Sequence, residues 1–124
     1  SPKDIIIDSA VIDELASLSD DKEFMETLVH GFITDTRTLL INMEKALSAN
    51  NVESYLEFAH ALKGSAGSIG ALQIHNLCKS ALESNTKEST YLEILQKTHQ
   101  AFRETEKLLL EYVPVKIAQI TNRK

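Results

Sequence analysis

Apolar residues recur along this chain at the three-and-four spacing that gathers side chains onto one face of a helix. Near the start, DSAVIDELASL puts Val11, Leu15 and Leu18 on one side, with Asp8 or Ser9 available as the N-cap. In the longer run that follows, Phe24, Leu28, Phe32, Leu39, Met43 and Ala46 form a stripe, and Asp20 with Glu23 has capping-box spacing. A helix of about 27 residues here would be roughly 40 Å long. Asn50 and Asn51 interrupt the pattern, and Asn50 with Glu53 gives a second capping signature for a helix starting near Val52 and ending around Ile69 and Gly70. ALQIHNLCKSALES then brings Ile74, Leu77, Cys78 and Ala81 onto one arc. After the polar, turn-like NTKEST, the residues Tyr91, Leu92, Leu95, Phe102, Glu106 and Leu109 run along one side, and Pro114 marks the end of that helix.

The spacing thus predicts helices over 9–18, 21–48, 52–69, 71–84 and 88–113, with 114–124 as a tail. Short polar connections make successive helices antiparallel neighbours, so the expected fold is all-α: an antiparallel up-and-down four-helix bundle with a short additional N-terminal helix. Composition agrees with that picture. A chain of 124 residues, 43% hydrophobic and 25% charged, suits one domain with its own core. Its two prolines, Pro2 and Pro114, stand near the ends and leave the helical stretches between them unbroken.

Charge and cysteine usage then narrow the function. A formal net charge of −5 argues against a nucleic-acid partner, whose binding modules carry a basic stripe. No apolar run reaches the roughly 20 residues that a bilayer span requires, so no membrane insertion is expected. The single Cys78 has no partner for an internal disulfide and no signal-type leader opens the chain, which favours a cytoplasmic setting. The blunt SPKD start suits a domain cut from a larger protein.

The segment AHALKGSAGSIG, 59–70, changes the picture most, because it carries glycines inside a helical pattern. With about 100° per residue and His60 at zero, Lys63 falls near −60°, Leu56 near −40°, Gly67 near −20° and Gly64 near +40°. Tyr55, Phe58, Leu62 and Ile69 lie on the opposite side, so His60 is predicted to be exposed. Each glycine costs roughly 1 kcal/mol relative to alanine in a helix interior. Two explanations offer themselves, close packing between helices and access. Since Gly64 and Gly67 point the same way as His60, away from the apolar stripe, access is the one expected, with side chains stripped from the turns after the histidine so that another protein can bring a group close to the imidazole. Leu56, beside His60, offers an apolar contact to the same visitor.

The chemistry that fits is nucleophilic. An imidazole, with an ordinary pKa near 6.5, keeps a large neutral fraction at physiological pH and attacks phosphorus through its lone pair. Lys63, one turn away, offsets charge on the transferring oxygens. No phosphate-binding loop, kinase-type glycine-rich loop or acidic magnesium cluster is evident in the sequence. The expected activity is therefore that of a phosphoryl carrier without its own ATP site, not of an enzyme. No cofactor is expected.

AHALKGSAGSIGA with the following LCKSALE resembles the signature of histidine-containing phosphotransfer (HPt) domains: a histidine, Lys-Gly at the third and fourth places after it, small residues, an aliphatic residue, then Gly-Ala. His60, Lys63, Gly64, Ser65, Ile69, Gly70, Ala71, Leu77 and Cys78 match as they stand. The resemblance implies a four-helix bundle in a multistep two-component phosphorelay. In it His60 accepts a phosphoryl group from a receiver-domain aspartate and passes it to another receiver, in cis or in trans. Magnesium is then expected in the partner receiver, and the chain is expected to be the C-terminal module of a hybrid sensor histidine kinase. Two other readings stand beside it: the phosphoacceptor domain of a chemotaxis-type kinase, and a non-phosphorylated helical docking adaptor. Retention of both His60 and Lys63 favours a carrier over an adaptor. The sequence departs from the family at Ala81 and Leu82, where some members place a polar partner for the imidazole; Glu83 comes one step later. His30, His75 and His99 lack zinc-type spacing, and Cys78 reads as packing.

Overall fold

The computed structural model describes residues 2–21, 23–83 and 87–111, with six helices and no strand among them. They are α1 (Pro2–Ile6), α2 (Ser9–Ala16), α3 (Phe24–Ser48), α4 (Val52–Ile69), α5 (Leu72–Glu83) and α6 (Glu88–Leu110). The four longest close a ring in which α3 packs on α4, α4 on α5, α5 on α6 and α6 back on α3. The last helix ends at Leu110 with Glu111 as its C-cap, and residues 112–113 of the expected stretch, residue 84 of the one before it and the tail 114–124 lie outside the described residues.

Local chemistry explains where each helix begins and stops. Asp8, extended at φ −99°, caps α2 by accepting from the N–H groups of Ala10 and Val11. The expected box of Asp20 and Glu23 does not form. Instead Asp21 accepts from the Glu23 N–H at 2.9 Å, Ser19 accepts from the Asp21 N–H at 3.0 Å, and α3 starts at Phe24. Such local side-chain turns compete with the helix for the same backbone donors. At the other end of α3, Asn50 adopts φ 56° and the Asn51 N–H reaches back to the Ala46 carbonyl at 2.8 Å. Asn50 therefore closes α3. Asn51, not Asn50, caps α4, its side chain accepting from the Ser54 N–H at 3.0 Å.

Inward faces follow the apolar pattern with shifts. From α4, Tyr55, Ala59, Leu62, Ala66 and Ile69 enter the core. From α3, Val29, Ile33, Leu40 and Leu47 are buried beside the expected Phe32, Met43 and Ala46, which widens the stripe. Leu92 is exposed on α6, whereas Thr98, Ala101 and Thr105 are buried there. The Thr98 hydroxyl is accommodated by donating to the Ile94 carbonyl at 2.7 Å. Tyr55 and Tyr91 meet in the core with ring centroids 5.4 Å apart.

The N-terminal arm folds as two short helices. α1 lies on α5 and α6, and α2 lies on α3 and α4. Ile7 and Ile12 are the buried anchors, while the expected Leu18 lies past the end of α2 and is exposed. The arm is latched to the turn between α4 and α5 by the Asp8 N–H, which donates to the Gly70 carbonyl at 2.8 Å.

Candidate functional site

Burying Tyr55, Ala59, Leu62 and Ala66 on one side of α4 turns the opposite side outward, and His60 stands exposed on it. The structure brings the other expected residues to this face. Lys63 follows one turn later and is half-buried, Leu56 precedes by one turn and is half-buried against the core, and Gly64 and Gly67 are exposed. No side chain among the described residues hydrogen bonds the His60 ring. Its neighbour from α5 is Leu82, which with Glu53, Leu56 and Glu57 lines a groove of about 390 Å³ beside the imidazole. The apolar residue at this departure from the family pattern thus forms a wall, and the ring faces solvent and groove.

The glycines of α4 have three different surroundings. At Gly64 a Cβ would meet nothing among the described residues within 4 Å, so the space above the helix there is open. At Gly67 it would stand 3.1 Å from Nδ1 of His75, so this glycine admits a neighbouring ring, and the expectation that it serves access is replaced by close packing. Gly70 has φ 81° and ends α4 in the left-handed conformation, with the Ala71 N–H donating to the Ala66 carbonyl at 2.8 Å.

A second groove, of about 460 Å³, runs between α3 and α4 with Leu15 of α2 at its rim. Leu28, Phe32 and Ile69 give it an apolar lining, and Gly31, Ser65 and Ser68 keep it open. Sequence reasoning missed Gly31, though a glycine within the apolar pattern of a long helix was a visible signal. A Cβ at Gly31 would also meet nothing within 4 Å. At about 100° per residue the order across α4 is Leu56, His60, Gly64, Ser68, so the two grooves and the histidine share one continuous outer face.

Cys78 is buried, and desolvation pushes its thiol up to about 12, which keeps it protonated and unreactive at neutral pH. Burial, with smaller effects from Cys78 and Tyr91, also raises the Tyr55 phenol, whose oxygen has no hydrogen-bond partner among the described residues. Among the described residues no three His, Cys, Asp or Glu side chains gather as a metal site, and no helix is long and apolar enough to cross a membrane.

Comparison with known proteins gives a consistent result. The family model of the Hpt domain matches residues 27–109, more than half of the chain. The phosphorelay intermediate protein YPD1 of Candida albicans is 32% identical over 75 residues, 60% of this chain and 41% of that protein. The histidine-containing phosphotransfer protein B of Pseudomonas aeruginosa superposes with a TM-score of 0.77 at 22% identity, covering 86% of this chain and 92% of the other. The histidine-containing phosphotransfer protein MtHPt2 of Medicago truncatula gives 0.76 at 26% identity, over 98% and 85%. The chain spans less than half the length of the curated relatives it matches.

Proposed function

The chain belongs to the Hpt domain family, whose members are phosphotransfer carriers and not kinases, and on that premise we propose that His60 is its phosphoacceptor. The proposed reaction moves a phosphoryl group between aspartates of two receiver domains by way of the imidazole. A ring nitrogen attacks phosphorus, the N–P bond forms as the aspartyl O–P bond breaks, and the carboxylate leaves with the bonding electrons. The return step to a second receiver runs the same exchange backwards. Lys63, one turn along the same face, offsets charge on the three transferring oxygens.

The observation that carries this reading is the openness of α4 around His60: an exposed imidazole, a bare Gly64 and an apolar groove floored by Leu56 and Leu82. A receiver's phosphoaspartate must come within bonding distance of a ring nitrogen, and a helix surface bearing long side chains at these places would hold it away. The wider groove of Leu28, Phe32 and Ile69 supplies apolar docking area on the same face. The carrier so described draws its phosphoryl groups from other domains and holds no ATP site; magnesium belongs to the receiver. The reducing cytoplasm, where the thiol of Cys78 stays free, is the compartment this reading assigns.

Incubation with a labelled phosphoreceiver tests it. Label should pass to this chain as an acid-labile, alkali-stable adduct on His60, and His60→Ala should remove it with helical content unchanged. Label on His30, His75 or His99 of the wild-type protein would contradict the assignment.

A further inference from the structure

His75 has no part in the chemistry above, yet its ring is fixed against the helix that carries it. Nδ1 lies 3.0 Å from the carbonyl oxygen of Lys63. A carbonyl only accepts, so Nδ1 bears the proton and donates. The same ring lies beside Gly67, where an added Cβ would stand 3.1 Å from Nδ1 and 3.4 Å from Cε1.

The contact falls at the start of the weakest part of α4. From Gly64 to Ser68 the sequence is Gly-Ser-Ala-Gly-Ser, with two glycines that disfavour helix. Ser65 donates to the Leu62 carbonyl at 3.2 Å and Ser68 to the Gly64 carbonyl at 3.0 Å, side-chain bonding that loosens a helix slightly. The openness that lets a partner reach His60 therefore leaves this half of the helix short of intrinsic stability. A donor from α5, aimed at the Lys63 carbonyl and resting on Gly67, restrains it from outside.

We propose that His75 is a positioning residue for phosphoryl transfer: its clamp on Lys63 and Gly67 steadies the glycine-rich second half of α4 and thereby fixes where the Lys63 ammonium stands. The inference rests on the reading of His60 and Lys63 as the transfer pair. It accounts for Gly67 as well, since only glycine lets the ring approach that backbone without displacement.

The test compares wild type, His75→Leu, His75→Asn, Lys63→Ala and the double variant that combines His75→Leu with Lys63→Ala. Asparagine keeps an N–H close to where Nδ1 now stands, and leucine fills the space without a donor. Two readouts are taken: the rate of transfer from a phosphorylated receiver, and hydrogen exchange of the Gly67 and Ser68 amides in unphosphorylated protein. His75→Leu should speed exchange at both amides and slow transfer about fivefold, one net hydrogen bond expressed as a rate. His75→Asn should recover both values. The double variant should be no slower than Lys63→Ala alone, because His75 acts through Lys63. Wild-type exchange and transfer in His75→Leu, no recovery with asparagine, or losses that multiply in the double variant would each overturn the proposal. Labelling of wild-type His60 by phosphoramidate is run in parallel. Its failure would reject the phosphoacceptor reading, while the exchange data would still decide whether the clamp exists.

Discussion

Gly64 and Gly70 stand less than two turns apart at the end of one helix, and they are glycines for opposite reasons. Around Gly64 the helix is regular and the space above it empty, so a side chain is absent because of what must approach from outside. Around Gly70 the backbone is left-handed, and the arm's Asp8 carbonyl would lie 2.9 Å from a Cβ, with Val11 and Ile12 only slightly farther. Here a side chain is absent because of what is already packed inside. Gly67 lies between the two in place and in character, facing outward but under the His75 ring. A glycine in a signature motif thus carries no single meaning; its neighbours assign it to function or to folding.

Substitution by alanine separates these cases through sign and size. Gly70→Ala should have the largest effect, a loss of about 2–3 kcal/mol from the left-handed backbone together with the clash against Asp8. Denaturant midpoints at constant m-value would show it, and a neutral result would mean that the arm is not seated on this turn. Gly64→Ala should act in the other direction and stabilise by up to about 1 kcal/mol, since it removes a helix-breaking residue from open space. A clear loss of stability there would refute the open-face assignment. Gly67→Ala should come out smallest, within about 0.5 kcal/mol of wild type, because the gain in helix propensity is offset by pushing the His75 ring away from the Lys63 carbonyl. A gain as large as that of Gly64→Ala would show that the ring yields without consequence.

Much of this contrast was legible in the sequence. Helical spacing put His60, Lys63 and Gly64 on the face opposite Tyr55 and Leu62, where the structure has them, because one helix's geometry depends only on its own register. The end of α4 at Gly70 was legible for the same reason, as a glycine closing an apolar pattern. What failed depended on competition between neighbouring backbone groups or on contacts between helices. In the polar run of Ser19, Asp20 and Asp21, Asp21 took the Glu23 N–H that a box of Asp20 and Glu23 would have used, and Ser19 held the Asp21 N–H beside it. Two adjacent asparagines divided the work of ending α3 and starting α4, a choice that composition does not make. Leu18 continues the apolar spacing of α2, but the helix stops at Ala16 and leaves it exposed. His75 reads in the sequence as a lone histidine, since nothing in its spacing shows that α5 brings it onto Gly67.

The measurement that bears most directly on the account is a comparison of two phosphodonors on Gly64→Gln. The long side chain enters open space, so the domain should fold with wild-type helical content, and phosphoramidate, a small donor, should still label His60 at the wild-type rate. Transfer from a phosphorylated receiver, which must dock over Gly64, should fall by about 100-fold, an added barrier near 3 kcal/mol. Equal rates with both donors in the variant and the wild type would contradict the claim that this face is bare so that a partner protein can reach the histidine.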